Sequence, residues 1–88
     1  MQEYSIILMD EIKKEIHNCW TWLHVGNYWQ ALRTYGAIHA LTDLYENEID
    51  ELPDDIDNEL YFVPVTKYLN DSRDKIKIII EAQIPFLL

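Results

Sequence analysis

Apolar residues early in the chain recur at three- and four-residue steps. Ile6, Ile7, Met9, Ile12, Ile16, Cys19, Trp20 and Leu23 form the stripe. This spacing predicts an amphipathic helix from about Glu3 to His24, with Asp10, Glu11, Lys13, Lys14 and Glu15 mainly on its wet side. In "HVGN", Gly26 is free to take the left-handed conformation that closes a helix, and Asn27 is suited to cap the next one. A second helix is predicted from about Tyr28 to Glu46 or Glu48. Its buried stripe is Tyr28, Ala31, Leu32, Tyr35, Ile38, Leu41 or Thr42, and Tyr45.

The pattern then becomes less regular. Pro53 suits a first helical position, and Asp54 and Asp55 would fall in the favourable first turn. Pro64 disfavours a helical conformation at Val63. The expectation is a short third helix from Pro53 to Phe62, a kink or break, and a helical turn through Leu69. In the last stretch Ile76, Ile79, Ile80 and Ile84 fit a helical face, while Ile76, Ile78 and Ile80 alternate like a strand. A cap at Asp71 or Ser72, and the lack of a strand to pair with, favour a helix that Pro85 stops. The terminal "IPFLL" should fold back on the core or meet a partner. The predicted fold is all-α: a single domain, residues 1–88, forming a small bundle of about four helices opened by an antiparallel helical hairpin.

"GNYWQALRTYGAI" resembles the second half of a tetratricopeptide repeat. Gly26, Asn27, Tyr28, Ala31, Leu32 and Tyr35 carry the likeness. The resemblance implies a helical hairpin, with Ala31 letting two helices approach and the tyrosines filling the gap. Ile38 stands where a small residue belongs, the closing proline is absent, and one repeat cannot form the concave peptide groove of an array. Hairpin geometry is therefore what the resemblance contributes.

Charge changes the picture most. The net charge is −9, and nine carboxylates with no Lys or Arg lie between Asp43 and Glu59; the other residues balance. Such a chain is repelled by nucleic acid and anionic membranes and is steered toward basic partners. One cysteine, Cys19, excludes an internal disulfide and fits a reducing compartment. The N-terminus has too short an apolar run for a signal peptide, and no run approaches a membrane span, so a cytoplasmic location is expected.

Candidate chemistry is sparse. His17 and His24 lack a metal-ligand signature. Arg33 and His39 have the loose spacing that resembles a family of helical ribonucleases. Six residues turn a helix by about 600°, so these side chains diverge by about 120° within one chain. Asp55, Asp57 and Glu59 alternate like calcium ligands, but Leu60 replaces the turn glycine and Thr66 the bidentate glutamate. No nucleophile has a credible base, and no glycine-rich phosphate loop exists. The expectation is a protein that is not an enzyme and has no cofactor or metal.

By size and charge placement the chain resembles, as a class, immunity proteins of nuclease toxins, antitoxins and phage-encoded inhibitors that imitate nucleic acid. That likeness implies a non-enzymatic inhibitor that binds a basic nuclease or nucleic-acid-handling complex. The residues assigned to partner binding are Asp50, Glu51, Asp54, Asp55, Asp57, Glu59, Tyr45 and Tyr61, with Trp29 as an aromatic anchor. The alternative is a helical interaction or assembly module, resembling the tetratricopeptide hairpin, that self-associates as a homodimer through exposed tryptophan and the apolar C-terminus.

Overall fold

A computed structural model describes residues 2–87, with side chains for residues 3–85. Three helices account for nearly all of it: α1 (Gln2–His24), α2 (Tyr28–Asp50) and α3 (Ile56–Leu87). The long axis measures 47 Å and the two short ones 18 Å each. At about 1.5 Å per residue, the 32 residues of α3 alone span that length.

The α1–α2 turn is built as its sequence predicts. Gly26 adopts φ +79° and closes α1. The Asn27 N–H donates to Trp22 O at 2.9 Å and the Gly26 N–H to Leu23 O at 3.2 Å, the paired bonds of a Schellman closure. The Asn27 side chain also caps α2, its Oδ1 accepting from the Gln30 N–H at 3.2 Å. One asparagine thus ends one helix and starts the next. The resulting hairpin follows from turn chemistry common to helical bundles and does not distinguish the tetratricopeptide family.

The core follows a seven-residue rhythm. Ser5, Ile12 and Cys19 on α1 and Ala31, Ile38 and Tyr45 on α2 are all fully buried. Phe62, Leu69 and Ile76 continue the rhythm in α3. Cys19 Sγ donates to Ala31 O at 3.4 Å, which sets the register of the hairpin. Steps of seven then bring Ile12 level with Ile38 and Ser5 level with Tyr45. A sustained period of seven is the signature of nearly parallel, coiled-coil-like packing.

Three helices replace the expected four. Neither Pro64 nor Asp71–Ser72 interrupts α3, and Pro85 does not stop it. Proline deprives the carbonyl four residues earlier of its helical partner. For Pro64 that carbonyl belongs to Leu60, and for Pro85 to Glu81, both exposed residues, so water can serve the freed oxygens. The α3 start is also corrected. It begins at Ile56, not Pro53, because Asp55 is the cap: its Oδ1 accepts from the Asn58 N–H at 2.8 Å. In α1, Ile7 is exposed and Leu8 takes the core position instead. The side chains of Phe86, Leu87 and Leu88, and thus the predicted docking of the apolar tail, lie outside the described residues.

Candidate functional site

The antiparallel course of α2 and α3 gathers the acidic segment at one pole of the bundle. Glu3 on α1 stands at the same end, since α1 runs antiparallel to α2. Between Asp43 and Glu59, the only basic side chain within ion-pair distance among the described residues is the imidazole of His39, 3.5 Å from Asp43. The remaining ion pairs, Lys14 with Glu11, Arg73 with Asp74 and Lys77 with Glu81, lie elsewhere.

The α2–α3 connection is held by short local bonds. The Leu52 N–H donates to Ile49 O at 3.0 Å, and the Leu52 side chain is buried. Asn58 Nδ2 donates to Pro53 O at 2.9 Å and to Asp55 Oδ2 at 3.2 Å. Asp55 therefore spends both carboxylate oxygens on the fold. Its charge remains at the pole, but its geometry is fixed.

Four of the assigned carboxylates converge. Asp50, Asp54, Asp55 and Glu59 surround a shallow depression floored by Ile49, Leu52 and Phe62, with Val63 at the rim. Beyond that rim α3 presents an aliphatic stripe to solvent: Ile56 is 71% exposed, Leu60 70% and Val63 63%. These residues recur at i, i+4 and i+7 and therefore share one face. Leu60 and Val63 are not among the residues assigned from the sequence, which places Leu60 in a short helix ending at Phe62 and Val63 at the break before Pro64. Only a continuous α3, whose core face is occupied by Asn58, Phe62 and Leu69, turns the stripe outward.

The other assignments separate. Glu51 is exposed just past the end of α2, outside the depression. Asp57 and Tyr61 face Ile6 of α1, on a different side of α3. Tyr45 belongs to the buried stripe expected of α2 and not to the partner-binding set: it is fully buried, the Thr66 hydroxyl donates to its oxygen at 3.2 Å, and its ring packs at 6.4 Å from that of Phe62. It is a core residue because its place in the seven-residue rhythm points it at α1 and α3. Trp29 is 56% exposed but lies at the hairpin turn, about 32 Å along α2 from Asp50. Trp20 and Trp22 also remain more than a third exposed at that end.

Electrostatics add a feature absent from the sequence reading. Glu48 and Asp50 occupy the last turn of α2, which carries no basic residue, and Glu46 stands just before it. Carboxylates there face the negative end of the helix dipole, an arrangement that costs about 0.3–1 kcal/mol each at low ionic strength. Asp57 and Glu59, in the first turn of α3, have the favourable orientation.

Among the described residues no three His, Cys, Asp or Glu side chains converge as a metal site, and no helix is long and apolar enough to cross a membrane. Comparison with protein-family models, with curated proteins and with solved structures finds no match.

Proposed function

We propose that this chain is a non-enzymatic acidic binding protein that acts in the cytoplasm by masking the basic surface of a nuclease or another nucleic-acid-handling protein. One observation carries the reading: Asp50, Asp54, Asp55 and Glu59 ring an apolar depression that adjoins the exposed Ile56, Leu60 and Val63 stripe. Carboxylates steer a basic partner and fix its register, while aliphatic contacts supply short-range affinity once water leaves. Carboxylates retained at the wrong end of the α2 dipole support a role for charge beyond solubility. The mode of action is occlusion. The acidic pole occupies the groove that would otherwise hold phosphates, as the likeness to immunity proteins, antitoxins and phage anti-defence inhibitors implies.

The test is capture from host lysate at low and high salt, followed by a nucleic-acid-binding assay on the protein recovered. Wild type should retain a basic nucleic-acid-binding protein and compete with its nucleic acid. The D50N/E51Q/D54N/E59Q variant, which spares the Asp55 cap, should lose capture by at least tenfold. Recovery of the same protein by the variant with equal efficiency would overturn the proposal. So would a captured protein that goes on binding nucleic acid unimpeded.

A further inference from the structure

A second surface runs along the opposite flank of α3. Because α3 packs chiefly against α2 and only lightly against α1, the seam between α1 and α3 stays open. Three pockets follow it from pole to pole. At the acidic pole Ile6 faces Asp57 and Tyr61. Midway, Lys13 faces Pro64, Val65 and Tyr68. Toward the hairpin turn, His17, Trp20 and His24 face Ile79. Ile6, Trp20, Tyr61 and Tyr68 are each more than a third exposed. Tyr61 and Tyr68, seven residues apart, share one helix face. Large amphipathic aromatics over an apolar floor are the residue types enriched at interface centres.

We propose that a second copy of this chain docks along this seam, antiparallel to the first. The polarity of the seam selects both the occupant and its direction. The pocket at the acidic pole is lined by a carboxylate, Asp57. The middle one carries Lys13, the far one His17 and His24, and neither is lined by a carboxylate. Turning a second copy end for end sets its Asp57 over His17 and His24 of the first, and the two-fold axis repeats the match at the other pole. A closed two-fold interface uses the same patch twice, as this arrangement requires. Lys13 and Tyr68 fall near the axis, where the lysine stem can cover the ring while its ammonium stays in water.

The long-range field selects the same direction. A parallel copy would bring together two poles that each hold the nine carboxylates of residues 43–59. The antiparallel copy leaves them at opposite ends of a 47 Å rod, several Debye lengths apart at about 8 Å each in physiological salt. The Ile56, Leu60 and Val63 stripe lies roughly a third of a turn around α3 from Tyr61 and stays outside the seam. The dimer would therefore carry two free acidic poles.

Sedimentation equilibrium on the full chain tests the proposal. A reversible dimer of the 10.5 kDa chain is expected at tens of micromolar. Tyr68→Glu, at an exposed position, should weaken association at least tenfold with an unchanged helical circular dichroism spectrum. Direction is read by cysteine cross-linking of two chains distinguished by mass, with Cys19 left in place because it is buried. D57C mixed with H24C should give the mixed disulfide, and D57C alone should give none. A monomer at about 100 µM, a Tyr68→Glu protein that dimerises like wild type, or D57C cross-linking to itself would each overturn the antiparallel dimer. None of these outcomes bears on masking by the acidic pole, which the capture experiment reads separately.

Discussion

Two neutral acids sit inside the bundle where water does not reach them. Burial pushes the Cys19 thiol up from 9.0 to about 11, with the nearby Glu15 carboxylate acting in the same direction. Burial also raises Tyr45; the hydrogen bond from Thr66 partly offsets this, and Tyr61 adds to it. Each group releases its proton less readily in the fold than in the unfolded chain. Their contribution to stability is therefore complete below about pH 9 and is lost as pH rises through the folded values. Removing the thiol should remove its part of that loss. In urea unfolding, the stability difference between wild type and C19A should shrink from about pH 8 to about pH 10.5. A constant difference would show that the thiolate forms without opposing the fold. The same burial decides between the two places the sequence offers Tyr45: its seven-residue spacing from Ile38 and Ala31 puts it in the buried stripe of α2, and its position among the acidic residues, which suggested partner binding, does not bring it to the surface.

At the scale of elements, legibility tracks how local the controlling physics is. The end of α1 and the start of α2 could be read because Gly26 and Asn27 stop and start helices through bonds made within the turn, whereas α2 runs on to Asp50, past the Glu46 or Glu48 expected. α3 resisted because its continuity depends on what lies around it. Pro64, the polar run Asn70–Ser72 and Pro85 are all breakers in isolation, and packing of Phe62, Leu69, Ile76 and Ile80 on the hairpin overrides them. The candidate site inherited that difficulty. The carboxylates were visible as composition, but the Leu60 and Val63 surface exists only once α3 is one helix. Because α3 runs unbroken through Pro64, the ring strains an otherwise regular helix, and Pro64→Ala should stabilise the protein by about 1–3 kcal/mol in urea unfolding. Were the chain broken there, alanine would be neutral or unfavourable.

Across the whole molecule, the charges are sorted by end. Residues 43–59 hold nine carboxylates and no Lys or Arg, all at the pole where α2 ends and α3 begins, while the rest of the chain is balanced. Three of the nine, Glu46, Glu48 and Asp50, oppose the α2 dipole as well as one another. Mobile ions screen both effects, since the groups are at or near the surface and the Debye length falls from about 30 Å at 0.01 M salt to about 3 Å at 1 M. The melting temperature should therefore rise by several degrees between about 20 mM and 500 mM NaCl, given roughly 4–8 °C per kcal/mol for a domain of this size. E46Q/E48Q/D50N should melt higher than wild type at low salt and respond less to added salt. Because this strain lies within one chain, the rise should persist at protein concentrations too low for association, which separates it from any salt effect on a dimer. A wild-type melting temperature that falls with salt would mean that the three ion pairs elsewhere in the bundle outweigh repulsion at the pole. In that case the carboxylates would bear no stability cost for a partner to relieve.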